Sequence, residues 1–402
     1  MTATPRGHSR SRAPWPGAPR LSRLAAAVVA FAVLTGCGTL GPQRAEPTWV
    51  PKPEGPPPAD APQPPGGGAD DPREQRTPQP GTPGDVNVVA TGLRLPWGLV
   101  VRPDGSALVG ERTTGRIMQV QPRHGVRPRQ VMRITGLDAT GDGGLLDLAL
   151  SPTYSEDELV FAYVTTRTDN RVVRFQVGRR PTPVLTGIPR GRVDNGGRLA
   201  FGPDGMLYVG TGDAGRPALA AQPRSLAGKV LRITAFGRPA AGNPDPASAV
   251  YSRGHRNVTG LCLDGAGRPV AVEPGGTADE VNQVRAGGDY GWPPTGGAGR
   301  IGPAQRLAPA GPGGCAVLER GLFVTALRGE RLWALPLDGQ GLPGRPMSLL
   351  AGTYGRLRTV VAAPDGALWL TTSNRDGAGR PVPADDRVIR IVPPAGTTNS
   401  PA

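Results

Sequence analysis

Residues 193–215 read V-D-N-G-G-R-L-A-F-G-P-D-G-M-L-Y-V-G-T-G-D-A-G. The middle is a strand (199–201), a tight turn (203–205) and a second strand (207–209). An Asp-Gly turn supplies the positive φ that joins antiparallel strands. The two ends, 194–198 and 212–215, are polar and rich in Gly, as loops at the rim of a rigid scaffold are.

Working outward, the same unit recurs six times. Copies open at Gly98, Gly144, the quoted stretch, Gly260, Gly314 and Leu357. Each gives an apolar strand, a Pro-Asp-Gly turn or its equivalent, a second strand, a loop and a third strand. A period of roughly 40–60 residues is that of a propeller blade. No sustained 3.6-residue apolar period appears outside the N-terminal segment. The expectation is an all-β, six-bladed β-propeller over residues 86–395. Residues 86–93 (VNVVATGL) are expected to pair beside residues 386–392 and close the ring, which removes an open edge.

The first 85 residues have another character. Five arginines without an acid precede an apolar run at 24–34, followed by L-T-G-C at 34–37. This is a secretory signal too short to span a bilayer comfortably. It ends in a lipobox, in which Cys37 is acylated and becomes residue one. Residues 1–37 are therefore expected to be a lipoprotein signal peptide that exports the chain and anchors it to the membrane. Residues 38–85 (PKPEGPPPADAPQPPGGGADDP among them) have no apolar period and read as a disordered tether. Residues 396–402 read as a disordered tail.

Removing the segment before Cys37 lowers the formal charge from +14 to +9. The chain has 44 Arg and only two Lys, a skew that fits codon usage in a GC-rich genome. No Lys/Arg run with interleaved aromatics is present, which argues against a nucleic-acid partner. Beyond Cys37 only Cys262 and Cys315 remain. They fall one position apart in the repeat register, on opposite faces of equivalent strands. Two buried thiols are expected in preference to a disulfide, which an exported chain also permits.

In a propeller, the loop before each first strand and the loop after each second strand share one face. The polar stretches fall in those loops: G-D-G-G at 141–144, D-N-G-G-R at 194–198, G-D-A-G at 212–215 and G-H-R-N at 254–257. Also there are E-P-G-G at 273–276, D-E at 279–280, Arg328, Arg356 and Arg358. Taken singly, each is explained as a turn or a surface charge. Several arginines and carboxylates facing one pocket suit a multiply anionic ligand with a divalent cation.

These motifs, with P-W-G at 96–98, G-L-L at 144–146, N-G-G-R-L at 195–199, D-E-V-N at 279–282, G-D-Y-G-W-P at 288–293, R-L-R at 356–358 and T-S-N-R-D-G at 372–377, carry a resemblance. In order and spacing the chain resembles the soluble quinoprotein glucose/sorbosone dehydrogenase family across essentially all of residues 86–395. The resemblance implies an oxidoreductase that uses pyrroloquinoline quinone and calcium on the C1 hydroxyl of aldoses or related aldehydes. It implies that Arg256 and Asn257 meet the quinone and that Arg328, Arg356 and Arg358 pair with its carboxylates. Carbonyls near Gly275 and Gly276 would hold the active-site calcium. Asp279, Glu280 and Tyr290 would form a second calcium site. Asp213 would orient the catalytic base.

The chain departs from the family pattern at that base, where Asp194 stands in place of His. Pro274 replaces His or Gln, and Asp147 replaces Gly. Asp142, in place of Gln or Glu near the substrate, joins the cofactor-binding set. Two readings follow: a membrane-anchored quinoprotein acting on a sugar-like alcohol, or a propeller of the same family that binds a ligand or envelope partner without turnover.

Overall fold

The computed structural model of the protein describes residues 86–294 and 299–394. The signal peptide, Cys37, the tether and the tail lie outside these residues. Six four-stranded antiparallel sheets make six blades. Their innermost strands are Pro96–Val101, Leu145–Leu150, Gly196–Phe201, Gly260–Leu263, Pro312–Leu318 and Leu357–Ala362, for blades I to VI in turn. The expected closure is present: Val86–Ala90 pairs antiparallel with Val388–Ile391, with Val86 opposite Ile391 and Ala90 opposite Val388. Blade VI is thus completed by the first strand of the domain.

The turns that mark the repeat have the chemistry read from the sequence. Asp104 Oδ1 accepts from Ser106 N at 2.9 Å, Asp204 Oδ1 from Met206 N at 3.0 Å and Asp365 Oδ1 from Ala367 N at 3.2 Å. The Gly that follows each Asp has a φ of 73–78°, a conformation that Gly adopts without a Cβ penalty. Blades I to V each also have a fourth, outermost strand that the repeat pattern did not reveal. Arg129–Arg133 and Met347–Leu349 are examples. Such strands are short and largely exposed, so they lack the apolar alternation that marks the other three.

The core lies between blades rather than within one. Leu146, Phe161 and Tyr163 of blade II pack on Leu199, Val209 and Leu231 of blade III, and each of the other junctions has a similar apolar cluster. Full burial of one such side chain contributes about 1.5–3 kcal/mol. The innermost strands approach closely: a Cβ on Gly98 would sit 2.8 Å from the Asp147 backbone.

The two buried thiols are not found. Cys262 and Cys315 form a disulfide that staples the innermost strands of blades IV and V. Cys262 and Cys315 do lie on opposite faces of equivalent strands, and that is what lets them bond. Neighbouring blades meet through opposite faces of equivalent strands, so two cysteines on opposite faces are the ones that can bond. Closing a loop with a sequence separation of 53 residues contributes about 2–4 kcal/mol.

Candidate active site

At the rim where the innermost strands begin, a cavity of about 320 Å³ opens on the axis. Asp142, Asn257, Pro274, Arg328, Arg356 and Arg358 line it together with Trp97 and Arg198. All six blades supply them, from the starts of innermost strands and the loops beside them, which share one face. Bulges do part of the aiming. Register shifts interrupt the starts of five innermost strands, at 96/98, 145/147, 196/198, 312/314 and 357/359. Trp97 and Arg358 are the extra residues of two of these bulges. A bulge bends its strand and re-aims a side chain, and here it turns both toward the cavity.

The basic side of the cavity is crowded. Arg358 lies 3.6 Å from the Trp97 ring centroid and Arg112 lies 4.9 Å from it. Arg356 donates to Asp376 Oδ2 from Nε at 3.0 Å and from Nη2 at 2.7 Å, and Arg358 Nη2 lies 3.6 Å from the same oxygen. Burial, with Arg198, Arg356 and Arg112 nearby, holds the Arg358 guanidinium well below its ordinary value despite Asp376. The Nε atoms of Arg112, Arg256 and Arg358 are buried without a hydrogen-bond acceptor among the described residues. Of the three only Arg358 lines the cavity; an unpaired buried donor is costly, so that wall is built for a partner that accepts.

Asp142 is the acid that lines the cavity, and Asp194 stands beside it, next to the lining residues Asn195 and Gly196. The Asp194 backbone takes a φ of 54°, left-handed for a residue other than Gly. Asp194 N donates to Asp142 Oδ2 at 3.2 Å, and its Oδ2 lies 3.7 Å from Arg256 Nε. Burial raises the Asp194 carboxyl above its ordinary value; Arg256 opposes this, while Asp213 and Asp142 add to it. Asp213 does not hydrogen-bond the Asp194 side chain. Its oxygens accept from Gly215 N at 2.7 Å and from Trp292 Nε1 at 2.8 Å. It therefore acts on Asp194 through charge and through its loop, where Ala214 N donates to Asp194 O at 2.9 Å. The Trp292 ring in turn carries Arg256 at 5.1 Å.

A buried network that sequence reading missed fixes the loop of Arg256 and Asn257. Glu273 Oε2 accepts from Arg256 N at 2.9 Å and Asn257 N at 3.4 Å. Its Oε1 meets His255 Nδ1 at 2.5 Å, and His255 Nε2 meets Ser252 Oγ at 2.8 Å. Asn257 Oδ1 then accepts from Gly196 N at 2.9 Å, beside Asp194. The H-R-N order was visible in the sequence; the partner, 16 to 18 residues away on another strand, was not.

The set expected for a second calcium does not converge. Asp279 and Glu280 are adjacent in the strand Asp279–Gln283, so their side chains leave opposite faces. Asp279 Oδ2 accepts from Ala310 N at 2.7 Å and Gly311 N at 2.9 Å, tying blade IV to blade V. Tyr290 stacks on His255 at 4.7 Å and its hydroxyl donates to Gln283 O at 2.6 Å. Among the described residues no three His, Cys, Asp or Glu side chains form a metal cluster. Gly275 and Gly276 follow Pro274 at the edge of the cavity, and Asp279 Oδ1 is buried without a hydrogen-bond partner.

Below the cavity, Arg198 plugs the axis. Its guanidinium donates to Thr259 O at 2.6 Å, to Thr359 Oγ1 at 3.1 Å and to Gly313 O, and lies 3.5 Å from Asp147 Oδ1. A second axial space of about 380 Å³ lies beyond it, walled mainly by aliphatic residues of the innermost strands. The rim cavity, with its converging charged groups, is the one equipped for chemistry.

Known proteins share this fold. The glucose/sorbosone dehydrogenase family model matches residues 93–302 and 314–381. A PQQ-bound aldose sugar dehydrogenase from Streptomyces coelicolor is 44% identical, with a TM-score of 0.73 over 77% of this chain and 99% of that one. A putative oxidoreductase (glucose dehydrogenase) from Thermus thermophilus is 40% identical, with a TM-score of 0.70 over 76% of this chain and 99% of that one. Quinoprotein glucose dehydrogenase B of Acinetobacter calcoaceticus is 30% identical over 250 residues, 52% of this chain and 52% of that protein. The chain thus spans about half the length of this curated relative. With a family match over most of the propeller, this chain belongs to the glucose/sorbosone dehydrogenase family.

Proposed function

We propose that the protein is a quinoprotein oxidoreductase that oxidises the C1 hydroxyl of an aldose-like sugar, with pyrroloquinoline quinone in the rim cavity. One observation carries the reading: Arg358, whose buried Nε has no acceptor, lines a cavity with Arg328 and Arg356, and the half-buried Asp194 adjoins the lining residues Asn195 and Gly196. Pyrroloquinoline quinone is planar, bears three carboxylates and, when bound, accepts hydride from the sugar carbon. Arg328, Arg356 and Arg358 would pair with its carboxylates, and charge-assisted pairs of this kind are strong. Arg256 and Asn257, held by Glu273, would face the quinone. Asp194 would take the hydroxyl proton, kept less acidic than a solvated carboxylate by burial and by Asp213 and Asp142. Carbonyls at Gly275 and Gly276 would hold a calcium ion, and the orphaned Asp279 Oδ1 is a donor suited to a hard cation. A second calcium is not part of this reading.

A family member that binds its cofactor without turnover is the alternative. The 3.7 Å pair between Asp194 and Arg256 favours it, because a carboxylate held by a guanidinium is a weaker base. Adding pyrroloquinoline quinone and calcium to the purified domain and following dye reduction with a panel of aldoses separates the two. Sugar-dependent reduction is expected. Quinone binding without it supports the alternative, and absence of binding removes both.

We also infer export and lipid anchoring through Cys37, supported by the basic segment, the apolar run and L-T-G-C at 34–37. Cys37→Ala should move the protein from the membrane fraction to the soluble fraction. An unchanged distribution would exclude the anchor.

A further inference from the structure

The two rims of the propeller differ in charge. On the rim that opens the cavity, Arg192, Arg216, Arg328 and Arg380 are exposed, on loops of blades II–III, III, V and VI. Asp142 is the exposed acid beside them. Arg192, Arg216 and Arg380 have no carboxylate within ion-pair range among the described residues. Val193 and Val382 stand 49% and 45% exposed on the same rim. The far rim is mixed in sign, with Arg123, Arg127, Arg179, Arg238, Arg320 and Arg345 exposed there. Its inner hairpin turns expose Asp104, Glu158, Asp204, Glu319 and Asp365. Three of these are neutralised in place, by Arg102 at 3.2 Å, Arg232 at 2.6 Å and Arg390 at 2.8 Å.

We propose that the cavity rim is the docking surface for an acidic one-electron carrier protein that reoxidises the enzyme. The inference rests on the quinoprotein reading for its purpose, and on charge complementarity for its partner. Uncompensated arginines around exposed apolar side chains make an interface with a specified sign: Arg is enriched at protein interfaces, and like-signed fields steer an oppositely charged partner. The surface surrounds the mouth of the cavity, so a protein seated there approaches the redox centre as closely as the fold allows. A membrane is the poorer fit. The closing strand Val86–Ala90 runs antiparallel to Val388–Ile391, which places Val86 at the far rim, away from the basic face. In the overall reaction one C1 hydroxyl is oxidised to the lactone level, losing two electrons and two protons. Two molecules of oxidised carrier each gain one electron, and the protons pass to solvent.

The test uses plastocyanin, an acidic blue-copper protein, with basic cytochrome c as control and a small uncharged dye as a second acceptor. With the reconstituted enzyme and an aldose, reduction of plastocyanin should be faster than that of cytochrome c at low ionic strength and should fall at least ~10-fold at high salt. The triple variant Arg192→Glu/Arg216→Glu/Arg380→Glu should lose at least ~10-fold toward plastocyanin at low salt and keep its rate with the dye. Equal loss with both acceptors, or indifference to salt, overturns the proposal. Calorimetric binding of plastocyanin to cofactor-free protein decides the surface separately from turnover. Salt-sensitive binding lost in the triple variant supports the docking face even if no sugar is oxidised, and absence of binding rejects it. Binding to phosphatidylglycerol vesicles that the triple variant abolishes, with none to plastocyanin, assigns the face to a membrane and rejects the carrier.

Discussion

Asp194→Asn should lower kcat/KM for the aldose by about 10²–10⁴-fold, the range that loss of a general base produces, while leaving quinone affinity within a few-fold of the parent. Asparagine keeps the size of the side chain and its place beside Arg256 but cannot accept the proton. The expected pH profile follows from the carboxyl's environment. A base works when deprotonated, so the rate should rise with pH through the Asp194 titration and level off above it. Burial raises that carboxyl above its ordinary value, Arg256 pulls it down, and Asp213 and Asp142 push it up again. Asp142→Asn removes one like charge and should move the acidic limb to lower pH. Asp194→His should move it toward neutrality, since imidazole titrates near 6.5. Full activity in Asp194→Asn, with an unshifted profile, would assign the proton to another group.

The blades were legible because they are local. A Pro-Asp-Gly turn between two alternating apolar strands needs about a dozen residues, and the chain repeats it. The rim was legible for the same reason: loop positions follow from strand direction once the blades are counted. Much of what failed needed contacts between blades. Cys262 and Cys315 bond because neighbouring blades present opposite faces to each other, a fact about packing rather than about either strand. Arg198 was read as a member of N-G-G-R-L and Asp147 as a departure from the family; that they face each other at 3.5 Å depends on two bulged strands from adjacent blades. Asp279, Glu280 and Tyr290 form one calcium set only by resemblance; alternation along the strand, a local feature that needs no contact between blades, sends Asp279 and Glu280 to opposite faces. Asp376 lay within T-S-N-R-D-G without a role, and it proves to be the counter-charge of Arg356 and Arg358.

The axial pair therefore makes the second large prediction. Asp147 and Arg198 are 6% and 5% exposed, and Arg198 joins blades II to VI through its hydrogen bonds. Asp147→Ala leaves a buried guanidinium without its counter-charge and should destabilise the domain by about 3–5 kcal/mol, read as a drop in the denaturant midpoint at neutral pH. The double variant Asp147→Leu/Arg198→Met removes both charges and should recover much of that loss, because replacing a buried ion pair by apolar residues is often close to neutral. The pH dependence has a definite sign. Burial pushes the Asp147 carboxyl up to about 6 from 3.8, against the pull of Arg198. The folded chain then keeps a proton that the unfolded chain has released, so the stability from this group is complete below pH 3.8 and is lost as pH rises through about 6. Asp386, also raised to about 6 by burial, gives a similar slope. Asp147→Asn should flatten the wild-type dependence across this window only in part, with the Asp386 contribution remaining. A slope identical to that of the parent would mean that Asp147 stays ionised throughout, and that the pair is held by Coulombic attraction strong enough to offset its burial.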